Sequence, residues 1–380
     1  MSAARGPVLG RPTRASNAEA GSEVRPLVSA TVDTAALRHN LDVVRRLAPQ
    51  SRVMAVVKAN AYGHGLVAVA RALRGADALA VARVEEGVSL RQAGIDAPIV
   101  LLEGVFDQDQ LAAAGRHGFE LVVHIPEQIE FLRRAPCGSD FKVWLKLDSG
   151  MNRLGFKGAE FDAAAAALGG LSCVRQPIGL FTHLASADEA VPVTTPDQLA
   201  RFAAATVRLT GARCVANSAG LLRFPVAHAD WVRPGLLLYG VSPVPGATGA
   251  AYGLKPAMTL RSRIIAVKEV GVGEKVGYGG DWTAARPTRL AIAAVGYGDG
   301  YPRSLASGAP VLVNGRRAAL AGRVSMDMIG IDITDIEACR GDPVILWGEG
   351  LPVEEIAVLA GAVPYELLCG ISQRVAVELI

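Results

Sequence analysis

Hydrophobic positions along this chain fall into two textures. As far as about Gly253, short runs rich in valine and alanine alternate with longer stretches in which apolar residues recur every three or four positions. The runs are VMAVV (53–57), ALAVA (78–82), IVLLE (99–103), ELVVH (120–124), VWLKL (143–147), GLFTH (179–183), RCVAN (213–217) and DWVRP (230–234). Short continuous apolar runs are the pattern of strands buried on both faces, and stretches such as GLVAVARALRGAD and DQLARFAAATVRLTG have the period of amphipathic helices. From about Leu254 the pattern changes to short alternating strands punctuated by glycine: TLRSRIIAVKEV, KVGYGG, RLAIAAVGYGDGYPR, APVLVNGR, ALAGRVSMDMIGIDI and DPVILWG. One helix, VEEIAVLAGAVPYELLCGI, is expected after them.

Eight strands alternating with helices predict an α/β protein with a (β/α)8 TIM barrel over 27–253, followed by a mainly-β C-terminal domain over 254–380. The segment LVSATVD (27–33) precedes the first helix and reads as a strand outside the barrel that joins the β-domain. Residues 1–26, rich in Gly, Ala, Ser, Pro and Arg, read as a flexible arm and lack the apolar core of a secretory signal.

In such a barrel the C-terminal ends of the strands converge on one mouth. The residues there would be Lys58, Glu103, His124, Lys146, His183, Asn217, Ser218 and Arg233. A lone lysine at a strand end is ordinary, because its stem tolerates apolar surroundings while its amine reaches water. A polar side chain at nearly every strand end of one barrel is not explained by solvation.

Charge and composition narrow the ligand class. The net charge is only +3 and the Lys and Arg residues are scattered, so neither a nucleic-acid partner nor a membrane surface is indicated. The apolar stretches are too short to span a bilayer. Five cysteines without a CxxC pair fit reduced thiols in a cytoplasm. Six histidines without HxH or HExxH spacing indicate no metal site. GVGEKVG (271–277) has the wrong spacing and context for a dinucleotide fingerprint and reads as a β-turn.

Three motifs give the mouth chemical sense. LKLDSGMNRLGF (145–156) aims the cations Lys146 and Arg153 at it, suited to a carboxylate or phenolate. NSAG (217–220) and RPG (233–235) offer a hydroxyl and backbone N–H groups after the last two strands, where barrels commonly bind phosphate. A lysine on one side and a phosphate cradle on the other suggest pyridoxal 5'-phosphate.

At this point the chain closely resembles bacterial alanine racemase, a two-domain, fold-type III pyridoxal-phosphate enzyme, from about Leu27 to Arg374. The resemblance rests on AVVKANAYGHG, LKLDSGMNRLGF, FTHLASADE, NSAG, VRPGLLLYG, GEKVGYGGDW, VGYGDGYPR, GRVSMDM and VPYELLCGISQRV in order. It implies that Lys58 forms the Schiff base with the cofactor and is the base on one face of the substrate. Tyr278 is then the base on the other face, supplied by the second subunit of a homodimer. Arg233 corresponds to the arginine that meets the pyridine nitrogen, and His183 to the histidine linking it to that tyrosine. The resemblance also implies phosphate binding by Tyr62, Ser218 and Tyr365, with backbone N–H groups of Gly235 and Leu236. Substrate contacts fall to Arg153 and to the backbone of Met326 from the partner. Lys146, as a carbamate, and Asp327 would support them.

The implied activity is interconversion of L-alanine and D-alanine, for peptidoglycan or for alanine catabolism. Ser325, where many relatives carry cysteine, together with Trp282, Gly298 and the ending VAVELI, departs from the family pattern and leaves room for serine or other amino acids. A decarboxylase of basic amino acids shares the two-domain plan, but no matching cysteine-centred motif is found. A non-catalytic pyridoxal-phosphate carrier would be a single barrel without the segment that carries Tyr278.

Overall fold

The computed structural model describes residues 26–380, so the predicted N-terminal arm lies outside the described residues except for Pro26. Strand β1 (Ser29–Val32) leads into a helix, Thr34–Leu47, whose start is fixed by Asp33. Oδ1 of Asp33 accepts from the N–H of Ala35 at 2.7 Å and of Ala36 at 2.9 Å, satisfying two donors that no earlier turn can serve. The helix buries Leu37, Leu41 and Val44 against the barrel.

Eight parallel strands then close on themselves: β2 (Arg52–Val56), β3 (Ala78–Val81), β4 (Ile99–Leu101), β5 (Phe119–Val123), β6 (Val143–Lys146), β7 (Gly179–Phe181), β8 (Arg213–Cys214) and β9 (Trp231–Val232), with β9 pairing back onto β2. Each observed strand starts within one residue of the run that announced it, and all eight stop earlier than their runs. Trp144 fills the inside, edge-on to Trp231 at 5.8 Å and to Phe181 at 6.3 Å. Its Nε1 donates to Glu120 at 2.8 Å, so the one polar atom of the ring is satisfied. A side chain on Gly179 would overlap that indole, which is why the neighbouring strand carries glycine there.

Past the barrel, the long strand β10 (Met258–Val270) organises an eight-stranded sheet. The order is Thr288–Ala293, Ile329–Asp332, Arg316–Leu320, Pro310–Val313, Pro343–Trp347, β10, β1 and Ala376–Leu379, and Thr288–Ala293 also pairs with β10. The pairs are antiparallel except for the last strand, which runs parallel to β1. A small hairpin, Lys275–Val276 with Trp282–Thr283, stands apart and carries Tyr278 near its tip.

Two expectations about the second half need correction. The single expected helix near the end is two, Val353–Ala360 and Pro364–Cys369, because Gly361 takes a left-handed φ of 66° and Pro364 can only open a new helix. ALAGRVSMDMIGIDI is not one strand: its ends belong to Arg316–Leu320 and Ile329–Asp332, and the residues between form a loop. Ala376–Leu379 is a further strand that the pattern does not predict, since the alternation of VAVELI is too short to stand out.

Candidate active site

Two residues past the end of β2, the backbone at Lys58 enters one turn of left-handed helix. Ala59, Asn60, Ala61 and Tyr62 all have φ of 53°. Side-chain sterics make each such residue unfavourable by about 1–2 kcal/mol, so neighbours must hold the turn. Glu86 accepts from the N–H of Ala59 at 2.6 Å and of Ala82 at 2.9 Å. Buried His64 lies with Nδ1 2.8 Å from the carbonyl oxygen of Tyr62 and 3.1 Å from that of Ala61, so this nitrogen is the donor. Tyr62 stacks on Tyr239 at 4.8 Å and lies tilted to Tyr365 at 5.6 Å. The Tyr239 hydroxyl donates to the carbonyl of Val56 at 2.9 Å, which ties this aromatic stack to the end of β2.

Lys58 and Tyr62 open onto a cavity of about 220 Å³ at the mouth of the barrel, lined also by Glu103, Lys146, Arg153, His183, Asn217, Ser218, Arg233, Gly235 and Tyr365. The strand-end reading thus brings most of its residues together. At one end of the cavity, Asn217 caps the short helix Ser218–Arg223 by accepting from Gly220 N–H at 2.9 Å. Ser218 Oγ accepts from Gly235 N–H at 2.8 Å, and a Cβ on Gly235 would sit 2.5 Å from the Tyr62 hydroxyl. Hydroxyls and backbone N–H groups therefore converge where only glycine fits. Burial pushes the Tyr62 phenol up, and Tyr365 is pushed up to about 12, so both stay protonated donors. Leu236 is fully buried at the start of a tight turn and does not line the cavity.

Deeper in, Arg233 is 3% exposed. Its guanidinium donates to Cys214 Sγ, to the carbonyl of Thr182 and to Nδ1 of His183, each at 3.0 Å, and lies 4.1 Å over the Phe181 ring. An arginine has no acceptor, so Nδ1 of His183 must accept and the proton of its neutral ring resides on Nε2. Burial first, then the charges of Arg233, Lys146, Arg153 and Lys58, hold the His183 pKa well below the usual value. Burial, with Arg233 and Arg153 beside it, lowers Lys146 to about 8 although Asp148 and Glu103 oppose the shift. Four cationic side chains face one acidic one, Glu103, in this cavity, so an anionic ligand is the natural occupant.

Not every predicted site residue is here. Tyr278 is 69% exposed and Met326 53% exposed, and neither lines the cavity of its own chain. Asp327 instead pairs with Arg374 at 2.5 Å, which also grips buried Asp299 at 2.6 Å. His124 stands behind the wall, its Nε2 2.9 Å from the carbonyl oxygen of Glu103. Sequence reasoning assigned nothing to Glu86, Tyr239, Thr182 or Cys214. The only hint was a tyrosine closing the apolar run GLLLYG, which reads as core.

Comparisons with known proteins agree along nearly the whole chain. The family model for the alanine racemase N-terminal domain matches residues 32–243, and that for the alanine racemase C-terminal domain matches residues 257–379. The alanine racemase of Aeromonas hydrophila is 49% identical over 352 residues, covering 92% of this chain and 99% of the relative. That of Nitrosococcus oceani is 52% identical over 348 residues, covering 91% and 97%. Among solved structures, the biosynthetic alanine racemase from Pseudomonas aeruginosa superposes with a TM-score of 0.90 at 48% identity, covering 94% of this chain and all of its own. The alanine racemase from Acinetobacter baumannii superposes at 0.88 with 37% identity, covering 93% and 99%.

Proposed function

Because the chain belongs to the alanine racemase family, we propose that it interconverts L-alanine and D-alanine with pyridoxal 5'-phosphate held at Lys58 and a second base, Tyr278, reaching in from a partner subunit. The observation that carries the cofactor assignment is the cradle opposite Lys58. Ser218, the Tyr62 hydroxyl and the backbone at Gly235 line one end of the open cavity together, a polar set suited to the oxygens of a phosphate, and a side chain at Gly235 would push the Tyr62 hydroxyl aside. When bound, the cofactor supplies an electron sink that makes the Cα proton of an amino acid removable.

The chain's own residues then have separable tasks. Lys58 Nζ takes or returns the Cα proton on one face, and the partner subunit's Tyr278 does so on the other, which allows inversion. Arg153 holds the substrate carboxylate as a cationic fork. Arg233 offers only N–H donors to whatever it faces, so a ring nitrogen there stays unprotonated and the chemistry is restrained to racemisation. His183, neutral and protonated on Nε2, offers a donor that favours the phenolate of the partner's Tyr278. Lys146, lowered to about 8, has a ready fraction of neutral amine for carbamylation, and a carbamate would reverse its charge beside Arg153. The Met326 backbone and Asp327 are assigned to the partner side of the same site.

A homodimer is the simplest way for an exposed Tyr278 and a buried Lys58 cavity to meet. Among the described residues no helix is long and apolar enough to cross a membrane, and the free cysteines suit a cytoplasmic setting. The Pseudomonas relative is named biosynthetic, which favours supply of D-alanine for peptidoglycan over catabolism.

Mixing two inactive variants tests the shared site. Lys58→Ala and Tyr278→Phe should each lose activity, and Lys58→Ala should also lose the visible absorbance of the bound cofactor. Refolded together, they should form hybrid dimers in which one site has both bases, restoring about a quarter of wild-type activity. No recovery from well-folded mixed dimers would show that Tyr278 does not act across subunits.

A further inference from the structure

At the seam between barrel and sheet, on the other side of Tyr239 from the Tyr62 ring, lies a second recess of about 220 Å³ that the reaction does not use. Tyr239, Val241, Met258, Val353 and Leu368 form an apolar lining. Glu354 adds a carboxylate to the wall. Its Oε1 is held by the N–H groups of Ser242 at 2.9 Å and Gly249 at 2.8 Å, so the charge is fixed in place at an otherwise apolar surface. Apolar cavities of about 150 Å³ accept benzene, so this one has room for a ring bearing a short substituent.

The walls of the recess are also the supports of the active-site turn. Tyr239 stacks on Tyr62 with ring centroids 4.8 Å apart, lies tilted against His64 at 4.6 Å, and bonds the carbonyl at the end of β2. The Leu368 carbonyl lies so close to Gly63 that any side chain there would overlap it. Pressure on either residue therefore reaches the left-handed turn that follows Lys58.

We propose that this recess binds small cations carrying one aromatic ring, the ring among Tyr239, Met258, Val353 and Leu368 and the ammonium against Glu354, and that occupancy is felt at Lys58 through Tyr239. The binding half stands independently of the reaction assigned to the chain. The coupling half rests on the cofactor reading, and the two are measured separately.

A suitable probe is N,N-dimethylbenzylamine, a tertiary amine that cannot condense with an aldehyde, titrated into the holoenzyme by ligand-observed NMR. A ligand of this size should bind with a Kd of about a millimolar, and about fivefold tighter than neutral N,N-dimethylbenzamide. Val353→Trp, which fills the recess, should abolish binding. Glu354→Gln, which keeps an acceptor for Ser242 and Gly249, should erase the preference for the amine while the ring still binds. Equal binding of amine and amide, or an amine preference that survives Glu354→Gln, would overturn the assignment whether or not Val353→Trp folds. Saturating amine should also change the affinity of the apoprotein for pyridoxal phosphate by about fivefold, as reciprocal coupling requires. Binding without any such change would overturn the coupling.

Discussion

Nη2 of Arg233 lies 3.0 Å from Nδ1 of His183, a donor that cannot accept facing a nitrogen that must. The pair fixes the histidine as a neutral ring with its proton aimed away from the arginine. It also makes Arg233 the largest electrostatic reason, after burial, that His183 is held so low.

Removing that charge should release the histidine. In Arg233→Gln the pKa of His183 is expected to rise toward its ordinary value. The imidazole resonances of His183, followed by NMR across pH, report this directly. A ring that stays neutral to the same acidity as in the wild type would mean that burial alone sets its protonation.

Acid stability should follow the buried histidines. His64 is pushed down to about 4 by burial, against the opposing bonds to Tyr62 and Ala61, and His124 and His183 are also lowered. The unfolded chain then binds more protons than the native one as pH falls below about 6.5, so each such ring subtracts up to about 1.4 kcal/mol of stability per pH unit. For His64 the loss accrues as pH falls from about 6.5 to about 4, and there is none above about 6.5. Urea unfolding midpoints should fall steeply with acidification, and less steeply in His64→Gln.

Lys146 offers a chemical test of its lowered amine. Carbon-13 bicarbonate should label it, and the label should be absent from Lys146→Arg. That variant keeps a cation beside Arg153 where a carbamate would be an anion, so its KM for alanine should rise by about tenfold with a smaller effect on kcat. An unlabelled lysine with unchanged KM in Lys146→Arg would remove the supporting role.

Gly235→Ala tests the proposed phosphate cradle. The added methyl meets the Tyr62 hydroxyl at 2.5 Å, so the phenol must move. Overpacking should reduce stability by about 1–3 kcal/mol. Equilibrium dialysis should show cofactor affinity falling by about tenfold or more, since a displaced donor loses its bond to the phosphate. Unaltered affinity would place the phosphate elsewhere.

The barrel and its mouth were legible because two signals coincide there. Continuous apolar runs mark strands covered on both faces, and the polar residue at the end of most runs lands on a common rim. VMAVV followed by Lys58, and VWLKL with Lys146 inside it, carry both signals at once. Legibility fails where structure depends on contacts between distant segments. Glu86 holds the turn after Lys58 from the helix Val84–Gln92, beyond β3, and Tyr239 looks like core until Tyr62 and Val56 are seen against it. The roles of Tyr278 and Met326 came from resemblance, and nothing in their own chain brings them to the cavity.

The left-handed turn has a consequence for how this stretch can vary. At Ala59, Asn60 and Ala61 the usual ranking of residues is inverted, because the mirror-image backbone penalises every side chain with a β-carbon. Glycine, ordinarily the residue that loosens a helix, is the one that would sit there without protest, and valine or isoleucine the least welcome. The segment is thus a small enclave with its own substitution rules, where a tolerant-looking alanine is kept in an unfavourable posture by its neighbours.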